Sequence, residues 1–142
     1  MQGAANVPVV AHVIQQAVAP VFLLTGVGAI LSVLINRLAR VVDRYRKLSD
    51  SGGDERDTYR LEMDTLSRRA RLIHWAISCC TVCALFVCIV IATLFIGSET
   101  GFDTSGAIAM LFILAMLALI SGLLCFLREI ALATGNIEVS EK

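Results

Sequence analysis

The sequence predicts an all-α membrane protein of three transmembrane helices, with helices 1 and 2 extended into a cytosolic antiparallel helical hairpin. Three observations predict it. Hydrophobic residues make up 57% of the 142-residue chain and the mean hydropathy is +0.78, both above what a soluble domain carries. The apolar residues gather in three runs, 17–35, 72–96 and 107–127, none interrupted by Asp, Glu, Lys or Arg. Of the 12 basic residues, all but Arg128 and Lys142 lie between the first two runs.

Each run is long enough to span, because about 20 residues at a rise of about 1.5 Å cross the ~30 Å hydrocarbon layer. Barrel strands would show short alternating segments instead. Residues 1–16 form an extracytoplasmic N-terminal or interfacial segment. Met1 to Ala11 carries no positive charge, so the first run does not resemble a cleaved signal peptide and is expected to persist. His12, Gln15, Gln16 and Ala19 share one helical face among Val9, Val10, Val13, Ile14 and Ala17. Two arrangements fit: an interfacial turn lying flat with a bend at Pro20, or a tilted continuous helix through Pro20.

Transmembrane helix 1 covers 17–35 and the basic hairpin 36–71. In the outgoing arm Leu38, Val41, Val42, Tyr45 and Leu48 recur at helical spacing, with Arg37, Arg40 and Arg44 on another face. Ser49 to Asp54 reads as a turn. The returning arm carries Tyr59, Met63, Leu66, Ala70 and Ile73 at alternating steps of four and three. Both arms would project about 20 Å as helices. Their apolar stripes can cover one another, whereas Asp43 with Lys47 adds only a few tenths of a kcal/mol.

Transmembrane helix 2 covers 72–96, an extracytoplasmic loop 97–106, transmembrane helix 3 107–127, and a cytosolic tail 128–142, fraying from Thr134 onward. The 97–106 loop holds only Glu99 and Asp103 as charges. The positive-inside rule therefore places the 36–71 segment in the cytosol, with the N-terminus outside and the C-terminus inside.

Small residues at intervals of four, Thr25 with Ala29, Gly28 with Ser32, and Ala118 with Gly122, allow close helix approach. Three helices in one chain can absorb such contacts, and so can an interface between copies. Asn36 is a packing or pore candidate at the inner end of the first span. The hydroxyls of Thr25, Ser32, Ser78, Thr81, Thr93 and Ser121 are expected to bond carbonyls in their own helices. Arg37, Arg40, Arg44, Arg68, Arg69 and Arg71 concentrate charge at the inner surface. They are expected to contact anionic lipid headgroups, each contributing about 1 kcal/mol there, or a partner. Nucleic acid is not expected, since Asp54, Glu55, Asp57, Glu62 and Asp64 dilute the patch.

Cys79, Cys80, Cys83 and Cys88 fall in the second span and Cys125 in the third, where buried thiols serve as small packing residues. Cys79 and Cys83 share a face, which admits a redox or metal role, but no carboxylate accompanies them. His74 beside Trp75 reads as an interfacial anchor. No ionisable group that a proton relay or coupled transporter would use lies amid a span, and no catalytic grouping is evident. No cofactor or metal is expected.

The run from Gln16 to Ala29, continuing through Asn36-Arg-Leu-Ala-Arg-Val-Val-Asp-Arg44, resembles a bacterial membrane family, domain of unknown function 2721. The likeness extends to Arg68 to Ile73 and to Phe126-Leu-Arg-Glu-Ile130. It implies a small three-span protein of the bacterial inner membrane and implies no activity. The expectation is a non-enzymatic, self-assembling inner-membrane protein whose basic hairpin meets anionic lipid or a partner. The alternative is a homo-oligomeric ion channel lined by Thr25, Ser32 and Asn36.

Overall fold

In the computed structural model, which describes residues 3–50, 56–101 and 103–138, the chain forms three helices: α1 Gly3–Asp50, α2 Arg56–Thr100 and α3 Ser105–Glu138. Each contains a window long and apolar enough to cross a membrane. All three are longer than the apolar runs they contain. α1 and α2 continue through the charged segment, and residues 51–55, which hold most of the turn expected from Ser49 to Asp54, lie outside the described residues.

α1 is a single helix through Pro8 and Pro20, so of the two arrangements open to residues 9–19 the structure has the continuous one. Pro20 is buried. Its missing N–H leaves the Gln16 carbonyl without its helical donor. At the other end, α3 does not stop at Glu129 or fray at Thr134; it runs to Glu138, with Ile130 and Ala133 still half-buried. Thr134 also donates to the Ile130 carbonyl at 3.0 Å.

The expected 97–106 loop shortens to a tight turn, since α2 reaches Thr100 and α3 begins at Ser105. Gly101 makes the reversal with φ of 68°, a conformation that costs a residue with a Cβ more than it costs glycine. Its amide donates to the Gly97 carbonyl at 3.1 Å. Asp103 then accepts from the Ser105 hydroxyl at 2.6 Å and from the Ser105 amide at 3.3 Å. These bonds to the charged form hold its carboxyl below the usual carboxylate range.

α2 lies between the other two helices, packing along both α1 and α3. One seam organises the contacts. On α1 the buried and half-buried positions are Val13, Ala17, Pro20, Leu24, Val27, Leu31, Leu34, Leu38 and Val41, alternating steps of four and three. On α2 the buried positions Ile73, Ala76, Cys80, Cys83, Val87 and Val90 continue the same rhythm, and on α3 so do Ala115, Leu119, Gly122 and Glu129. A mean period of 3.5 is the mark of left-handed packing with side chains set into the gaps of the facing helix. The seam does not end with the apolar runs: Val41 and Leu66, both outside them, belong to the same buried cluster as Leu34 and Ile73. Tyr45, placed on this stripe by spacing, is instead 40% exposed. At its level the neighbouring Arg44 faces Glu62 across the pair, and the apolar contact resumes at half-buried Leu48.

The outward faces carry Phe22, Ile35, Leu85, Ile96, Met110, Ile113, Leu117 and Leu127, all more than half exposed. Apolar surface so continuous would aggregate in water, and a hydrocarbon surround is its proper solvent.

Candidate functional site

The charged residues meet where the apolar runs end. Glu129 is on the seam of α3, one step beyond Gly122 and half-buried Phe126, and its side chain is fully buried. A carboxylate there is costly unless charge surrounds it. Arg69 of α2 supplies two hydrogen bonds to Oε1, from Nε at 3.1 Å and Nη2 at 2.9 Å. Arg37 of α1 brings its Nε to 3.2 Å from Oε2. That second approach is coulombic: the N–H is not aligned with Oε2, which has no hydrogen bond among the described residues. The Arg37 guanidinium is held over the Phe126 ring, 5.4 Å from its centroid, a cation–π contact that fixes its plane. One acid from α3 thus ties together three helices, two of which, α1 and α3, otherwise barely touch.

The six arginines singled out by position do not form one surface. Arg37 and Arg69 turn inward to Glu129. Arg44 pairs with Glu62 through Nε at 2.9 Å and Nη2 at 2.6 Å, and with Arg40 and Asn36 it borders a groove between α1 and α2 of about 580 Å³. Arg68 and Arg71 face the opposite side, where Arg128 joins them at a groove of about 790 Å³ between α2 and α3. Arg68 lies 3.6 Å from Asp64, with both side chains more than 70% exposed. Among the described residues, no ion pair involves Arg40, Arg71 or Arg128.

The small residues divide as well. Gly122 is buried, and a Cβ there would lie 3.0 Å from Cys80 Sγ and 3.3 Å from the Ala76 carbonyl oxygen. Ala118 packs half-buried against the same core. These two belong to the α2–α3 contact within the chain. Thr25, Gly28, Ser32 and Asn36, by contrast, are all exposed on α1, and a Cβ on Gly28 would meet nothing within 4 Å. The hydroxyls of Thr25, Thr81, Thr93 and Ser121 each donate to the carbonyl four residues back, as expected.

Cys80 and Cys83 are buried in the seam and Cys79 is half-buried; all five cysteines are free thiols. Among the described residues no group of three or more His, Cys, Asp or Glu side chains is placed to hold a metal ion. His74 and Trp75 are exposed beside the arginine belt.

Spacing on the hairpin did not reveal Glu129. The signal was present in the third helix, where Ala115, Leu119, Gly122, Phe126 and Glu129 follow one another at steps of four and three. A family model described as a protein of unknown function, DUF2721, matches residues 17–139. The chain belongs to the DUF2721 family. That match takes in all three arginine-bearing segments and Glu129, and leaves out the first turns of α1. No curated protein and no solved structure matches the chain. The family assignment therefore fixes kinship for this three-helix membrane protein, and its chemistry has to be argued from the side chains.

Proposed function

We propose that this DUF2721 protein is a non-enzymatic component of the bacterial inner membrane, with its N-terminus outside and its C-terminus in the cytosol. On this reading the continuation of α1 and α2 past the apolar runs is a cytosolic hairpin, and its basic side chains meet anionic headgroups. The observation that carries the reading is the division of the arginines. Glu129 and Glu62 neutralise those at the helix contacts, while Arg40, Arg71 and Arg128 sit at the ends of the spans without an ion pair among the described residues. Unpaired guanidiniums at that level are placed to attract anionic lipid.

Self-assembly is the second part of the proposal. The exposed stripe of Thr25, Gly28, Ser32 and Asn36 leaves α1 open to close approach by another copy, and packing of small residues is what associates helices in lipid. Because the same stripe is polar, a ring of copies would also line a pore with it, which is the alternative reading. Native mass spectrometry of the full chain, released from nanodiscs with lipid retained, tests these together. Two or more copies support assembly, and a strict monomer removes it. Four or more copies put ion flux in reconstituted vesicles next, and absence of flux then rules out the pore.

A further inference from the structure

We propose that the groove between α2 and α3 holds one anionic phospholipid, its phosphate among Arg68, Arg71 and Arg128 and its glycerol and upper acyl chain against Leu72 and Trp75. This deepens the lipid-contact reading above, on whose cytosolic placement of the arginines it rests, by naming the site and the ligand class.

Helix geometry assembles the site. Arg68, Arg71, Leu72 and Trp75 stand at i, i+3, i+4 and i+7 on α2 and so share one face, and Arg128 and Leu132 stand four apart on α3. α2 enters the membrane in the direction of increasing residue number. Its wall therefore changes from cationic to apolar with depth, Arg68 outermost and Trp75 a turn and a half to two turns deeper. Trp75 is 60% exposed although it borders the groove. An amphipathic ring at this level suits the boundary between headgroup and acyl chain. Leu127 and Leu124, 62% and 57% exposed on α3, carry exposed apolar surface on toward the bilayer interior.

Charge complementarity selects this groove over its counterpart. The α1–α2 groove has four arginines on its walls, but Arg44 is committed to Glu62, and Arg37 and Arg69 to Glu129. Among the described residues, the α2–α3 groove has no carboxylate on its walls. Asp64 compensates Arg68 only weakly, 3.6 Å away in a solvated pair of little strength. Arg128 is available because its neighbour Glu129 turns to the other side of α3, toward Arg37 and Arg69. At about 790 Å³ the groove has room for a headgroup. A free phosphate would use the arginines alone, whereas a phospholipid also covers Leu72 and Trp75.

Trp75 is the chain's single tryptophan, which makes it the reporter. The full-length protein in mild detergent is titrated with phosphatidylglycerol brominated near the top of its acyl chains, and quenching of Trp75 is followed. Brominated phosphatidylcholine, and inorganic phosphate as competitor, are run in parallel. The proposal expects saturable quenching by the anionic lipid and at least tenfold weaker quenching by the zwitterionic one. Millimolar phosphate should not displace the lipid. Replacing two basic residues near an anionic surface weakens attraction roughly 30-fold, so Arg71→Gln with Arg128→Gln should shift the quenching midpoint by about that factor. Arg46→Gln with Arg60→Gln, equal in charge but away from the groove, should leave it in place. Lys replacements at 71 and 128 should restore most of the binding, which separates charge from any loss of fold. If both Gln pairs weaken quenching equally, attraction is to the whole basic surface and the site is overturned while the general lipid reading stands. Equal quenching by both lipids overturns both readings, and displacement by phosphate makes the ligand a soluble anion.

Discussion

Removing the Glu129 carboxylate should destabilise the three-helix arrangement more than removing any other charge in the protein. In Glu129→Ala the Arg69 guanidinium, with 23% of its side chain exposed, loses both hydrogen bonds, and Arg37, 33% exposed, loses its counter-ion. Breaking a fully buried pair in this way costs about 3–5 kcal/mol. The partial exposure of both arginines lets water recover part of that, so about 3 kcal/mol is expected. Glu129→Gln keeps an acceptor for Arg69 but no charge, and about 2 kcal/mol should be lost. The Arg44–Glu62 pair has shorter contacts, yet its side chains are 66% and 32% exposed, and pairs so solvated are worth about 0.2–1 kcal/mol. The assay is reversible unfolding in mixed micelles, followed by circular dichroism, with double-mutant cycles on Arg69/Glu129 and Arg44/Glu62. Burial rather than contact distance should set the order, with the coupling at least twice as large for the first pair. A second signature follows from desolvation: Arg37→Leu, Arg69→Met and Glu129→Leu together should cost less than Glu129→Ala alone. Equal couplings in the two cycles, or a triple variant worse than the single one, would refute the argument that an orphaned buried charge is what is being measured.

Two further outcomes are expected. Gly122→Ala should cost about 1–3 kcal/mol, because the new Cβ meets the Ala76 carbonyl at 3.3 Å and backbone cannot yield as a side chain does; Gly28→Ala, facing open space, should leave the unfolding midpoint within about 0.5 kcal/mol of wild type. The Asp103 carboxyl is held low by the Ser105 hydroxyl and amide, so its contribution to the α2–α3 turn is full above the unfolded value of about 3.9 and is lost as pH falls through the lower folded value. In an NMR titration the Ser105 amide should move with a midpoint below 3.9, and a midpoint at or above that value would mean the turn bonds do not form.

The three helices were legible because a 3.5-residue rhythm and uninterrupted apolar runs are properties of each segment alone. Val41, Leu66 and Ile73, expected on the hairpin stripes, are buried. What eluded the sequence was pairing between segments. Arg37 and Arg40 look equivalent in the chain, three residues apart on the same basic arm, yet one faces Glu129 and the other does not. The difference is rotational: Arg37 is next to the Leu34–Leu38–Val41 seam, and a residue at the seam's edge meets whatever the facing helix presents. Likewise Gly28 and Gly122 carry the same signature, and only the positions of α2 and α3 show that one is consumed within the chain while the other faces outward. Tyr45 failed for the same reason, since spacing assigns a stripe but not the level at which the facing helix replaces apolar contact with Arg44 and Glu62.

Stability and charge presentation are coupled through one residue. Without Glu129, Arg37 and Arg69 would join Arg40 in presenting unpaired charge around the α1–α2 contact, and mutual repulsion would oppose the packing of Val41 on the α2 arm. Placing the acid on the seam of α3, where the apolar run gives way to charged residues, satisfies Arg69 and Arg37 from within the bundle and leaves Arg40, Arg71 and Arg128 without an ion pair among the described residues. A carboxylate deeper in the span would pay a desolvation penalty that two arginines could not reach to offset, and one farther out would be screened by water and would hold little. The level of Glu129 is therefore dictated by electrostatics as much as by the heptad step that puts it on the seam. The basic grooves on either side follow from that single placement.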